Sequence, residues 1–574
     1  MFSPLVHLTL SLLCYSVSAI WPDPQEYTTG SNVLWLSPKV TVAYNRLNVS
    51  EASSPQTFGD RIDVMEAVNR TLETILKQSI VPWKFHPRNE LEKFEPNLEA
   101  SRTYIKHLGV TQTGQTNSSV KGPNEVDESY KISIAEDGRS EISAETTHGI
   151  LRALETMTQL FYKHSSDKGV YTNQAPIMVV DAPKFSHRGL NMDVARNWFP
   201  VKDILRTIDA LSMNKFNRLH IHMTDSQSWP IEIPSMPDLT KKGSYATGLS
   251  YSPENIATIH KYGLQRGVQV ILEFDMPGHT ASIAYAYPNL IAGFRAVPWS
   301  TYCAEPPCGS LKLNSKPVDE FVSKLMADVL PRISPHASYF HTGGDEVNKQ
   351  VYLLDETVGS NETSVIQPFL QKFVDRVHNQ VRAAGLTPIV WEEMALDWNL
   401  TLHSDVVVQT WLSDKSTSAV TAKGHKVITG NYDAWYLDCG KGQWIDFENG
   451  ASYQHYYPFK DYCDPVKNWR LVYSFNPLSG VPKEQQHLVL GGEVHIWSEQ
   501  TDPVNLDDMV WPRASAAGEV LWSGREDCNG QNRSQITASP RLSEMRERMV
   551  LRGITPGPVQ MVYCTQMGDA ECSL

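Results

Sequence analysis

The chain has no surplus of basic residues. Its 51 Lys and Arg against 64 Asp and Glu leave a formal charge of −13, and a nucleic-acid-binding surface needs the opposite sign. Beyond the N-terminus it has no apolar run of about 20 residues, the length a membrane span requires. Cys-x-x-Cys does not occur, so a cysteine metal site is not indicated. No Gly-rich phosphate loop follows an early strand, which weighs against a doubly wound sheet. Internal repeats and low-complexity tracts are missing too. What is present is a globular composition in 574 residues, too many for one ordinary core, so about two domains are expected. Fifteen Trp is a high number; Trp fills cores and also supplies flat apolar faces on which sugar rings stack.

Leu5 to Val17 is apolar and ends in Val17-Ser18-Ala19, which reads as a secretory signal over residues 1–19, although no Lys or Arg precedes it. The run is too short for an anchor, so no membrane association is expected. Secretion gives meaning to the sequons at Asn48, Asn69, Asn117, Asn361, Asn399 and Asn532. With Cys14 in the signal, the odd number of remaining cysteines leaves one unpaired. Close spacing suggests Cys303–Cys308, Cys439–Cys463 and Cys564–Cys572, with Cys528 free. The expected location is extracellular, with a lysosome- or vacuole-like compartment as the alternative.

Residues 20–180 read as a smaller α/β unit in a supporting role. Val40–Tyr44 looks like a strand, Arg61 to Gln78 has helical spacing, and Tyr130–Ile134 and Ser140–Ala144 flank the hairpin signal Asp137-Gly138. Ile150 to Tyr162 reads as a helix, and Asp181-Ala182-Pro183 as a boundary. From 181 to 574, candidate strands are Gly189–Met192, Arg218–Met223, Val268–Phe274, Ser338–Thr342, Pro388–Trp391, Val406–Thr410, Lys426–Thr429 and Leu488–Trp497. Most are separated by helical segments such as Lys202–Met213, Pro253–Arg266, Val318–Val329 and Gln367–Ala384. This rhythm predicts an α/β fold, a (β/α)8 TIM barrel behind the smaller domain.

Catalytic side chains of such barrels sit at the C-terminal ends of strands. Those ends carry Asp225, Asp275 and His279, then Asp345 and Glu346, then Trp391, Trp411, Tyr436 with Asp438, and Trp497 with Glu499. Asp345 and Glu346 follow two glycines after a buried run, and two adjacent acids there are costly unless used or paired: like charge and partial burial raise the pKa of one, which makes a proton donor beside an ionised partner. Each residue has a bland alternative, since a strand-end Trp is more often core and a lone acid is usually solvated. The coincidence of several strand ends with one chemistry is what favours a site.

Several stretches together resemble the β-N-acetylhexosaminidases of glycoside hydrolase family 20: Phe185-Ser186-His187-Arg188-Gly189, Asn217 to His222, Asp225-Ser226-Gln227-Ser228-Trp229, Glu273 to Thr280, His341 to Glu346, Trp435-Tyr436-Leu437-Asp438 and Trp511-Pro512-Arg513-Ala514. The Cys303–Cys308 and Trp435–Cys439 segments look most like the secreted fungal branch, which implies an N-terminal propeptide, here Ile20 to about Arg88, that stays associated. The resemblance implies exo-acting removal of terminal N-acetylhexosamine from chitooligosaccharides or other glycans, retaining and assisted by the substrate's own acetamido group, outside the usual two-carboxylate rule. It implies Glu346 as acid and base, Asp345 as partner of the acetamido N–H, and Tyr436 as holder of its carbonyl. Arg188 would bind the 3- and 4-hydroxyls; the alternative for Arg188 is a buried ion pair. Asp438 and Glu499 would bind the 4- and 6-hydroxyls, Trp391, Trp411 and Trp497 would wall the sugar, and Asp225 and His279 would support the catalytic pair. Family members are often homodimers. No cofactor is implied. Ser226 departs from the second Asp that many relatives carry.

Two rival readings stand beside this one. His220-x-His222 with His279, His341 and Asp345 could hold Zn²⁺ in a metal-dependent hydrolase, although the His pair lies on the second strand and before its tip. A sugar-binding protein on an inactive barrel would keep the Trp residues but has no need of Asp345, Glu346 and Tyr436 together.

Overall fold

The computed structural model describes residues 20–46, 62–114, 126–446, 457–527, 529–567 and 569–572. The expected signal segment, Asn48, Asn117 and Cys528 lie outside the described residues. The N-terminal unit is a six-stranded sheet built from β1 (Glu26–Arg46), β2 (Tyr104–Gln112), β3 (Tyr130–Ile134), β4 (Ser140–Ala144), β5 (Tyr162–Lys163) and β6 (Val170–Asp181), in the order β1-β2-β4-β3-β6-β5 with β1 also paired to β6. In β3, Tyr130, Ile132 and Ile134 are buried and the residues between them are exposed, the two-residue period of a half-covered sheet. Helix α1 (Val64–Gln78) is capped by Asp63, whose side chain accepts from the Glu66 N–H, and buries Val64, Ala67, Val68, Thr71 and Ile75, one stripe at helical spacing. Helix α2 (Thr147–Gln159) starts on Thr146 and is buried nearly all round, because it lies between this sheet and the second unit.

The second unit is a closed barrel of eight parallel strands: β7 (His187–Asp193), β8 (Arg218–His222), β9 (Gln269–Glu273), β12 (Tyr339–His341), β13 (Thr387–Trp391), β14 (Val407–Thr410), β15 (Lys426–Thr429) and β16 (Val489–Ile496). A two-strand hairpin, β10 (Ile291–Ala292) with β11 (Ser310–Leu311), sits in the long connection after β9. The barrel closes where His341 of β12 pairs with Glu273 of β9. The strands read one face in and one face out. In β8, Leu219 and Ile221 join the core between barrel and helices, whereas His220 and His222 point inward to carboxylates. The barrel interior is layered. Ile271, Tyr339, Ile389, Val407, Ile428 and Leu490 form an apolar layer, and Glu273, Glu493, His220, His341 and Gln409 are also fully buried in the interior.

The two units are joined through buried polar contacts. Asp181, the last residue of β6, accepts from the Tyr130 hydroxyl (2.6 Å), Lys215 Nζ (2.8 Å) and the Trp522 indole N–H (3.0 Å). Trp21 is fully buried against the barrel, its indole N–H on the Ser515 carbonyl. Among the described residues no helix is long and apolar enough to cross a membrane.

Candidate active site

Strand β12 delivers the two adjacent acids. It stops at His341, and the chain turns through Gly343 (φ 68°) and Gly344 (φ 104°). A side chain at Gly343 would run into the Asp275 carboxylate, so glycine is required there for space as well as for its backbone angle. Glu346 itself has φ 50° and His279, in the loop after β9, has φ 52°. Non-glycine residues hold this left-handed conformation at a cost, and it recurs where a side chain must be aimed. The two side chains are aimed at each other, with His279 Nε2 3.3 Å from Glu346 Oε2.

They open into a cavity of about 570 Å³ lined also by Arg196, Asp345, Trp411, Tyr436, Asp438, Trp497 and Glu499. Of the expected site residues, eight therefore face one cavity. Asp225 stands directly behind, accepting from His279 Nδ1 (3.1 Å). Trp391 is not a lining residue: it packs 6.2 Å from the Trp497 ring and its indole N–H reaches Glu273 (2.7 Å).

Arg188 does not belong to this group. It lies near the start of β7, at the opposite end of the barrel, fully buried, with Nη2 on both oxygens of Glu128 (2.7 and 2.8 Å) and its other nitrogens on the Lys215 and Phe185 carbonyls. It is a structural ion pair between the barrel and the N-terminal unit. The arginine that reaches the cavity is Arg196, just past the end of β7. Its guanidinium contacts Asp193 (3.3 Å), Asp225 (3.0 Å) and Glu305, and lies 5.2 Å from the Trp497 ring centre. Burial opposes its charge, but Asp225, Glu305 and Asp193 outweigh that and hold it firmly protonated. The signal was available: the rule of reading strand ends, applied to the first strand, leads to Asp193 and Arg196. Glu305 and Glu393 were also missed, the first because it sits in a long loop, the second because it follows Trp391 in a short helix, Glu392–Ala395. Glu393 accepts from the Trp411 indole N–H (3.1 Å) and so fixes one aromatic wall.

The acid packed beside Asp345 in the buried interior is Asp275, whereas Glu346 opens into the cavity. Asp275 and Asp345 each have one buried oxygen with no donor in reach, and the two carboxylates lie together beside His279. Burial first, then each other's charge, raises the pKa of Asp275 well above the Asp range, and burial also raises that of Asp345. Asp275 is the carboxyl raised further of the two, so a proton on it would remove the conflict and leave Asp345 ionised. Asp275 is itself held by the Gly344 N–H (2.8 Å).

Trp411, Tyr436 and Trp497 form three sides of a box. Tyr436 stacks on Trp411 (6.1 Å, 14°) and is buried against Trp497 (6.2 Å). Asp438 accepts from the Trp497 N–H (3.3 Å), and burial raises its carboxyl to about 7. Glu499 is raised well above the Glu range, by burial first. Two loops complete the rim, and each is closed by a disulfide. Cys303–Cys308 brackets Ala304 and Glu305, and Cys439–Cys463 brackets Trp444, Asp461 and Tyr462. Cys564–Cys572 is also bonded, at the C-terminus. Of the described sequons, Asn69, Asn399 and Asn532 are exposed and Asn361 is half-buried.

Among the described residues four groups bring ligand-type atoms together within 4.8 Å: His220, Glu273 and His341; Asp225, His279 and Glu305; Asp275, His279 and Asp345; and Asp438 with Cys439 and Cys463, whose sulfurs are already joined in a disulfide. Of the imidazoles concerned, both nitrogens of His220 face carboxylates, at 3.0 and 3.1 Å, both of His279 do, at 3.1 and 3.3 Å, and Nδ1 of His341 faces Glu273 at 3.1 Å. A metal ligand nitrogen must be free of its proton, whereas a nitrogen facing a carboxylate must keep one. The donor set therefore fits ion pairs better than the zinc site of the rival reading.

Comparison with known proteins agrees with this geometry. The family described as "Glycosyl hydrolase family 20, catalytic domain" matches residues 185–525, and "beta-acetyl hexosaminidase like" matches 20–160. The "Beta-hexosaminidase" of Arthroderma benhamiae is 44% identical, covering 97% of this chain and 98% of its own. The "Chitooligosaccharidolytic beta-N-acetylglucosaminidase" of Bombyx mori is 27% identical over 97% of this chain and 89% of its own. Among solved structures, the GH20 β-N-acetylhexosaminidase of Streptomyces coelicolor A3(2) shares the fold, with TM-score 0.68 at 22% identity, over 94% of this chain and 97% of that one.

Proposed function

The chain belongs to glycosyl hydrolase family 20, and from that premise we propose that it is an exo-acting β-N-acetylhexosaminidase of the retaining, substrate-assisted kind. It removes terminal N-acetylhexosamine from the non-reducing ends of β-linked substrates such as chitooligosaccharides. The observation that carries the reading is the meeting of Glu346, Asp345 and Tyr436 at one cavity walled by Trp411 and Trp497.

The terminal sugar enters with its acetamido group between Trp411, Trp497 and Tyr436. The Tyr436 hydroxyl donates to the acetamido carbonyl oxygen and holds it in line with the anomeric carbon. Asp345 accepts from the acetamido N–H and balances the positive charge that grows as the oxygen attacks. Glu346 gives its proton to the departing glycosidic oxygen, and the ring closes to an oxazoline. Glu346 then takes a proton from water as that water opens the ring with overall retention. Holding nucleophile and electrophile on one molecule supplies up to roughly 7–11 kcal/mol in ideal cases. Arg196, Asp438 and Glu499 bind the remaining hydroxyls of the terminal sugar. Asp345 must be ionised and Glu346 protonated, so the rate is bell-shaped in pH; burial places the Asp345 limb above the ordinary Asp range.

We assign secretion, a homodimer, and a propeptide that stays bound as parts of the same reading. Support for the last is that β1, inside the stretch Ile20–Arg88, is hydrogen-bonded to both β2 and β6, so a cut near Arg88 would not free it. The test of function is an aryl N-acetyl-β-D-glucosaminide beside the matching aryl β-D-glucoside, with and without EDTA. Cleavage of the first alone, indifferent to EDTA, is expected. Equal cleavage of both would overturn acetamido assistance, and loss with EDTA would return the argument to the histidines.

A further inference from the structure

Behind the cavity, carboxylates and imidazoles alternate along the whole barrel interior. Glu346 meets His279 (3.3 Å), which meets Asp225 (3.1 Å). Asp225 meets His222 Nε2 (2.7 Å), and His222 Nδ1 meets Glu273 (2.6 Å). Glu273 then meets His220 (3.1 Å), His220 meets Glu493 (3.0 Å), and Glu493 meets His187 (2.7 Å) at the far end. Beyond His279 every member is buried. A carboxylate only accepts, so an imidazole with a carboxylate on each nitrogen must carry both protons. His279 and His222 meet that condition; His220 has a hydrogen bond to Glu493 on Nδ1 only, but against burial the charges of Glu493 and Glu273 raise it to about 9, so the line alternates in charge from Glu346 to Glu493.

We propose that Glu273 is a positioning residue for the hydrolysis, acting through His222, Asp225 and His279 to set how readily Glu346 gives up its proton. This rests on the hexosaminidase reading. A buried imidazolium keeps its charge only beside acids, and Glu273 is the acid on the inner side of His222. Burial works against charge on both, yet Glu273 and Asp225 hold His222 well above the usual His range, and His341 with His222 holds Glu273 well below the usual Glu range. The groups facing His222 are Asp225, Glu273 and the Trp497 ring at 5.0 Å, with Arg196 on the other side of Asp225. Those facing Glu273 are His220, His222, His341 and the Trp391 N–H. Without the negative charge of Glu273, His222 loses its proton. Asp225 is then less neutralised, the field at Glu346 becomes more negative, and Glu346 holds its proton more tightly. The acid is weakened without any change in the cavity lining.

Glu273→Gln tests this with two aryl N-acetylglucosaminides, one with a phenol that needs protonation to leave and one with a dinitrophenol that does not. A positioning role lowers kcat/KM on the phenol substrate by roughly tenfold or more, part of the hundredfold or greater effect of a general acid, leaves the dinitrophenol substrate within about threefold, and moves the alkaline limb of the pH profile upward. Equal losses on both substrates with unmoved limbs would mean that Glu273 only fills space, and would overturn the proposal. If the variant does not fold, the wild-type protein decides: nitrogen NMR of its histidines should show His222 doubly protonated from pH 5 to 8, and a neutral His222 at pH 7 would overturn it. Failure of the wild type to cleave either N-acetylglucosaminide would instead overturn the hexosaminidase reading on which the proposal stands.

Discussion

Arg188 and Arg196 sit at the two ends of one strand and do opposite work. Both have buried guanidinium groups paired with acid, Arg188 with Glu128 alone and Arg196 with Asp193, Asp225 and Glu305. The stretch from Arg188 to Asp193 climbs about 17 Å at the usual strand rise, which carries one arginine to the seam with the N-terminal unit and the other to the cavity. At the seam, the carboxylate Glu128 also takes Arg152 and the amide of Asn217, so both of its oxygens are fully engaged within the protein. At the cavity, Arg196 has more acids than it can neutralise: Asp193, Asp225 and Glu305 in contact and Glu499 nearby. A carboxylate fully engaged between two buried arginines marks the structural end, and an excess of acid around an open volume marks the working end.

The largest effect that sharpens this contrast is expected from Glu346→Gln. It should lower kcat on an aryl N-acetylglucosaminide with a poor leaving group by roughly 10²–10⁴-fold and leave the melting temperature unchanged, since the Glu346 side chain is 37% exposed. Arg188→Met should do the reverse. Stripping Glu128 of its bidentate partner should cost about 3–5 kcal/mol of stability, read by denaturant unfolding, while kcat per folded molecule stays the same; a selective rise in KM would break the comparison. The smallest effect should come from Asp438→Asn in the free enzyme. Burial raises the folded-state pKa of Asp438 to about 7, above that of an unfolded Asp, so its contribution is fully present at low pH and is lost as pH rises through 7. The variant should therefore melt close to wild type at pH 4 and progressively higher than wild type toward pH 8. An unchanged gap across that range would mean that Asp438 is ionised in the folded state throughout.

The barrel was legible because each of its strands is a short buried run between turn residues, and all eight expected strands are found in the closed sheet. Most of the site followed, since strand ends in such a barrel converge. The N-terminal sheet was less legible. The expected Val40–Tyr44 is only the tail of the 21-residue β1, whose Gly30 and Pro38 read as breaks in sequence but sit beside register shifts in the sheet. Gly30 is needed there because a side chain would collide with Ala175 and Pro176 of β6. β2 and β6 were not anticipated at all, because their partners lie far off in the chain. The arginine was misplaced for a related reason: residue type and a neighbouring motif pointed to Arg188, and only the direction of β7 tells which of the two faces the cavity. The pairing of Asp275 with Asp345 joins residues 70 positions apart, and no local pattern announces it.

The two rim disulfides have a consequence for the order in which the site is finished. The barrel strands can pair and bury their faces while every cysteine is still a thiol, but Glu305 reaches Arg196 from inside the Cys303–Cys308 loop, and Tyr462 and Asp461 stand on the loop tied by Cys439–Cys463. Closing such loops removes chain entropy that folding of the barrel does not remove. A chain made where thiols stay reduced would thus acquire its scaffold first and its substrate-binding rim only on oxidation.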